Sequence, residues 1–175
     1  MKNEKYTEAL IYLKEISYST KQIDATEENL VKVVTSILTV MEKLYPEIIT
    51  KECIEFNEEE LEKNKKIIPN KLCANNDFEI GSKIFEKGGT YLIGFLAHEI
   101  MHNVIHVNTK NAWGENKTIW DNIKEDIIFA GVEEFTADAM AFSFLQKIEI
   151  IDSKITDIFE YLHKHSGIED NLNDP

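Results

Sequence analysis

Two histidines four positions apart, the first followed directly by a glutamate, constrain this chain more than any other feature: His98-Glu99-Ile100-Met101-His102. On a helix of 1.5 Å rise and 3.6 residues per turn, both imidazoles lie on one face, one turn apart, where they can hold a single cation. Glu99 then stands beside the ion without binding it, placed to take a proton from a metal-bound water. Ile100 and Met101 are apolar, as a helix buried on its other side requires. The flanks agree. Residues 90–97 supply an N-cap candidate, Thr90, and an apolar approach, while Val104, Ile105 and Val107 continue the pattern beyond. The spacing predicts a helix of about 18 residues with the motif well inside it. A buried helix whose histidines merely hydrogen-bond to their neighbours is the competing reading.

Two histidines do not complete a catalytic zinc site, which takes three protein ligands and keeps one position open. His106 continues the four-residue spacing, but it lies about 12 Å along the axis from His98 by helix rise. That is too far for all three to share an ion, so His106 is read as an outer or structural histidine.

The better donor lies in residues 131–142, Gly-Val-Glu-Glu-Phe-Thr-Ala-Asp-Ala-Met-Ala-Phe. Here the sequence resembles the zincin metallopeptidases, and within them the gluzincin branch, in which the two-histidine motif is followed on a later helix by a glutamate ligand in an E-x-x-[SA]-[DN] context. Glu134-Phe135-Thr136-Ala137-Asp138 matches that pattern position by position. The resemblance implies that Glu134 completes a Zn2+ site and that Asp138 accepts a hydrogen bond from a ligand imidazole, that of His98. Helix geometry is compatible, because Glu134 and Asp138 share a face and a ligand histidine needs an acceptor for its other ring nitrogen. Glu133 faces elsewhere and stands as the alternative ligand.

The resemblance further implies a zinc-dependent peptidase acting on a protein or peptide, with Glu99 as the general base. A donor near the developing oxyanion is also expected of such an enzyme. His163 and Tyr161 are the candidates, with His165 behind them. The short distance between the two motifs and the continuation Ala137-Asp138-Ala139-Met140-Ala141-Phe142 look similar to the ImmA/IrrE group of compact cytoplasmic peptidases that cleave repressors, although this chain has Asp138 where that group has asparagine. A function of a different class also fits: a zincin-like regulatory or protein-binding module that keeps a metal for stability and does no chemistry. The presence of Glu99 favours the enzyme, since a structural site needs no base.

Around these motifs the pattern is mostly helical. Tyr6, Ala9, Leu10, Leu13 and Ile16 predict an amphipathic helix over residues 4–18. A second helix follows, capped by Thr26 or Asp24 and stopped at Pro46, with Leu30, Val33, Val34, Ile37, Leu38, Met41 and Leu44 on its apolar stripe. Residues 47–66 read as a third helix. Residues 66–73 and 78–85 read as short strands separated by Asn75-Asn76-Asp77, and Gly88-Gly89 as a turn leading into the motif helix. Residues 108–117 read as a surface loop. A helix capped by Thr118 is expected through Phe129, then one over residues 132–148 that can be continuous with it despite Gly131. A last helix over residues 153–165 ends near Gly167. The expected fold is α+β: a predominantly helical zincin-like domain with a small sheet before the motif helix. It occupies residues 1–175 as one unit, with a helical part over 1–65 and the sheet, metal-site helices and terminal helix over 66–168.

Composition narrows the partners. With 32 acidic against 19 basic residues the formal charge is -13, which argues against nucleic acid, whose affinity comes largely from neutralising phosphates. No apolar run is long enough for a membrane span, and the first residues do not lead into a secretory signal, so a cytoplasmic protein is expected. Cys53 and Cys73 lack C-x-x-C spacing and are read as buried thiols in a reducing cytoplasm, or as a disulfide if the protein is exported.

Overall fold

The structure, a computed structural model, describes residues 2–19, 22–72, 78–113 and 127–150. Among these it is helix-dominated with one two-stranded sheet. The elements are α1 (Lys2–Tyr18), α2 (Glu27–Leu44), α3 (Lys51–Asn64), β1 (Lys66–Ile68), β2 (Glu79–Gly81), α4 (Ser82–Glu86), α5 (Gly89–Trp113) and α6 (Ile127–Lys147). No helix among the described residues is long and apolar enough to cross a membrane.

Helix α5 is the axis of the fold. At 25 residues it is about 38 Å long, and α1, α2, α3, α4 and α6 all pack against it. Its first half is apolar on every side, which marks an interior helix. Residues 90–98 are accordingly all buried. Gly88, at φ 105°, turns the chain into α5. Gly89 begins the helix where a Cβ would collide with the Ile16 carbonyl of α1, so the absent side chain sets how closely α1 approaches.

The flanking helices follow their local signals. The Thr26 hydroxyl accepts from the Asn29 amide and caps α2, whose Leu30, Val33, Val34, Ile37 and Met41 are fully buried. The Thr50 hydroxyl accepts from the Cys53 amide and caps α3. A buried amide pair, Asn103 Nδ2 donating to Asn57 Oδ1 at 3.0 Å, ties α3 to α5, and Asn57 Nδ2 donates in turn to the Cys53 carbonyl. Helix α6 closes with Glu149 in the left-handed region and Ile150 N donating to the Leu145 carbonyl. Its last turn is held to α1 by Tyr18 Oη donating to the Glu149 carbonyl and by a Lys14–Glu149 ion pair.

Several boundaries differ from expectation. The first strand stops at Ile68, because Pro69 offers no N–H and Asn70 turns at φ 61°. The second is three residues long, and Ser82–Glu86 is helical, burying Ile84 and Phe85. The strands pair in parallel, Ile67 opposite Ile80. The third helix begins at Lys51 rather than 47, after a turn that buries Ile49. Thr90 is not an N-cap: it lies inside α5, and its hydroxyl donates to the Ser17 carbonyl. Residues 108–113 are helix rather than loop. Asn108 Nδ2 donates to the Ile48 carbonyl and Asn111 Nδ2 to Glu52, so polar side chains hold the last turns of α5 against the start of α3. Helix α6 runs unbroken through Gly131. The expectations for residues 114–117, for Thr118, for Cys73 and for the terminal helix over 153–165 lie outside the described residues.

Candidate metal centre

The longest helix carries His98 and His102 one turn apart where α6 crosses it. His98 is almost wholly buried, which makes each of its ring nitrogens a group that needs a partner. The two rings meet edge to face with centroids 4.5 Å apart, and their Nε2 atoms are 2.9 Å apart. Helix α6 brings Glu134 over this pair: Oε2 lies 3.4 Å from His98 Nε2, and Oε1 lies 3.4 Å from His102 Nε2. All three donor atoms fall within 4.8 Å of one another. Donors bonded to a tetrahedral zinc at 2.0–2.2 Å stand about 3.3–3.5 Å apart; the two Glu134 spacings match this, while the two Nε2 atoms stand closer together.

The outward nitrogens explain why the inward ones converge. His102 Nδ1 lies 3.1 Å from Glu133 Oε1, and His98 Nδ1 lies 2.9 Å from Asp138 Oδ1. The Asp138 contact is close but bent, and neither of its atoms has a well-formed hydrogen bond within the structure. A carboxylate beside each Nδ1 favours a proton there, which leaves the Nε2 lone pairs facing each other. Two lone pairs at that separation repel unless a cation lies between or beside them.

Charge accumulates accordingly. Burial works against a charged His102 ring, but Glu133 and Glu134 on its two nitrogens outweigh it and raise its pKa to about 10. His98 is raised in the same sense: burial opposes, and Asp138 and Glu134 prevail. Burial would lift Glu134, yet its contacts with His102 and His98 hold it at about 2. The charge of Glu99 adds to the potential at both rings. His98, His102 and Glu134 form a group that could hold a metal ion.

His98, His102, Glu134 and Asp138 are thus brought to one place, and Glu99 follows His98 on the same helix. His106 is not a member: its ring stacks on Phe56 of α3 at 5.6 Å. Tyr161, His163 and His165 lie outside the described residues. The expectation for Glu133 is corrected. A helical wheel turns it about 100° from Glu134, but its side chain is long enough to reach the flank of His102 from there. Counting acceptors finds it, because two histidines that turn Nε2 toward one place each need an outer partner, and Asp138 lies beside His98 alone. Comparisons with protein-family profiles, with curated proteins and with solved structures return no match for this chain.

Proposed function

We propose that the chain is a zinc-dependent metallopeptidase that hydrolyses a peptide bond in a protein or peptide, with His98, His102 and Glu134 as the metal ligands. The observation that carries this reading is the convergence of two Nε2 atoms and one carboxylate at coordination spacing, with a second carboxylate, Glu99, adjacent on α5. A zinc ion bound there supplies Lewis acidity, lowering the pKa of a water toward neutrality and polarising a carbonyl. Glu99 follows a ligand histidine directly, so the same helix that holds the ion also fixes the base. Its carboxylate takes the proton of the attacking water and returns it to the leaving amine. Glu133, hydrogen-bonded to His102, and Asp138, beside His98, would brace the two imidazoles.

One feature supports zinc over a harder cation, and two support a catalytic over a structural site. Two imidazoles and one carboxylate are the donor set of hydrolytic zinc sites, whereas magnesium and calcium take oxygen ligands throughout. The three-donor set leaves a coordination position for water. An adjacent carboxylate that is not among the ligands has no place in a purely structural site. The reading is tested by incubating the full chain with a peptide library, with and without zinc, beside Glu99→Gln. The variant keeps its metal and loses turnover; cleavage retained in Glu99→Gln removes Glu99 as the base, and no cleavage by the zinc-loaded wild type favours the silent metal-stabilised module instead.

A further inference from the structure

We propose that Val132 and Phe135, on the outer face of α6 beside Glu134, form an apolar subsite, and that the substrate is a cationic peptide segment with a bulky apolar side chain within about three residues of the scissile bond. The proposal rests on the peptidase reading above and names the substrate class for it. Of the six exposed large hydrophobic side chains among the described residues, three lie on α6, and Phe135, at 73%, is the most exposed of all. Val132, 58% exposed, stands three positions earlier, so the two Cβ atoms are about 5–6 Å apart on one face. Ala139, one turn further on, is exposed as well. A lone exposed apolar residue is ordinary, whereas neighbours on one helix face mark a contact surface.

Helix geometry ties this face to the metal site. Ala137, Ala141, Phe144 and Leu145 turn inward with Glu134, which meets the two imidazoles. Phe135 is the next residue and is turned about 100° from Glu134, to the side opposite Glu133, which is engaged on His102. Its Cα is about 3.8 Å from that of Glu134, and an extended peptide advances about 3.3–3.6 Å per residue. A polypeptide with its scissile carbonyl at the cation therefore brings a nearby side chain over Val132 and Phe135. Charge selects what flanks that side chain. Helices α5 and α6 carry four carboxylates at or beside the ring pair, Glu99, Glu133, Glu134 and Asp138, and a divalent cation cancels only half of their charge. The basic residues of the two helices are Lys110 and Lys147, about 12 Å from His102 and about 20 Å from Glu134 along the respective axes. With the whole chain at -13, a peptide bearing Lys and Arg is drawn to this region and an acidic one is repelled.

The test uses the zinc-loaded full chain and three fluorescein-labelled peptides of equal length. One carries Leu and Phe among Lys and Arg, the second carries Leu and Phe among Asp and Glu, and the third has Ser in place of Leu and Phe among Lys and Arg. Cleavage is read by mass spectrometry and binding by fluorescence anisotropy, so docking is seen even without turnover. The apolar-basic peptide is cleaved best, at a bond within about three residues of Leu or Phe. Phe135→Ser and Val132→Ser each raise KM and lower kcat/KM by about 10-fold on that peptide, the low end of what an apolar pocket discriminates, because this face is open. Their kcat and zinc content stay at the wild-type level, since the lost contact is made equally in ground and transition state. Phe135→Leu keeps most of the activity, and Ile11→Ser, at an exposed position of α1, behaves as wild type. Equal cleavage of the three peptides, or a preference that both serine variants leave untouched, overturns the proposal and leaves the peptidase reading standing. A preference for the acidic peptide overturns it through its charge argument. A dimer in sedimentation velocity that Phe135→Ser dissolves makes the face a contact between two copies and overturns it too. If no peptide is cleaved but the apolar-basic one binds wild type and not Phe135→Ser, the peptidase reading fails and the docking face stands; if none is cleaved or bound, both fail.

Discussion

Replacing Glu134 by glutamine in the metal-free protein probes the charge cluster without reference to turnover. The substitution keeps the shape and removes the negative charge that sits between two ring nitrogens at 3.4 Å each. A carboxyl held at about 2 in place of its ordinary 4.5 corresponds to about 3 kcal/mol of linkage at neutral pH. About a quarter of the side chain is exposed, and the same contact also appears in the raised His102 value, so it is counted once; the expected loss is about 1–3 kcal/mol. The sign follows from the direction. A lowered carboxyl contributes stability that is present above its unfolded value and lost as pH falls from 4.5 toward 2, so wild type and Glu134→Gln converge in acid. On the other side, His102 raised to about 10 contributes below 6.5, and that contribution is lost as pH climbs toward 10. Urea denaturation of chelator-stripped samples between pH 3 and pH 9 measures both limbs. Equal stability of the two proteins at pH 7, with equal denaturant slopes, would refute the pairing of Glu134 with the rings.

Three further substitutions test the packing around the centre. Asn103→Ala leaves the buried Asn57 Oδ1 without its amide donor, at a cost of about 1–3 kcal/mol, read as a lower denaturation midpoint; an unchanged midpoint would show that the amide link between α3 and α5 is replaceable by water. Gly89→Ala places a methyl group against the Ile16 backbone carbonyl and should lower the melting temperature by several degrees, about 1–3 kcal/mol as an overpacked contact, whereas Gly131→Ala, which meets nothing within reach, should be neutral or stabilising by helix propensity.

Local signals made some of this molecule readable from its residues alone. Helix α2 has a Thr26 cap, a stripe from Leu30 to Met41 and a proline just past its end, and each of these acts over a few residues. The two-histidine motif is equally local, because helix pitch alone puts the two rings one turn apart. What escaped was decided by tertiary contacts. Residues 108–113 hold two asparagines, a threonine and a lysine and carry no helix signal of their own, yet Asn108 and Asn111 find partners at the start of α3 that keep the helix going. Residues 82–85 lie in the stretch 78–85 that reads as a strand, but Ile84 and Phe85 are buried in a short helix packed on α5. Glu133 was misjudged for a related reason: a wheel gives the direction of Cβ, and a glutamate carboxylate can end well away from it, here on the flank of a ring from another helix.

The most direct measurement is the zinc content of the full chain, purified without an affinity tag and dialysed against trace zinc, compared with His98→Ala, His102→Ala and Glu134→Ala. One zinc per chain in the wild type and a large loss in each single variant is the predicted result. A wild type without bound metal, or a Glu134→Ala protein that retains a full equivalent of zinc, would contradict it.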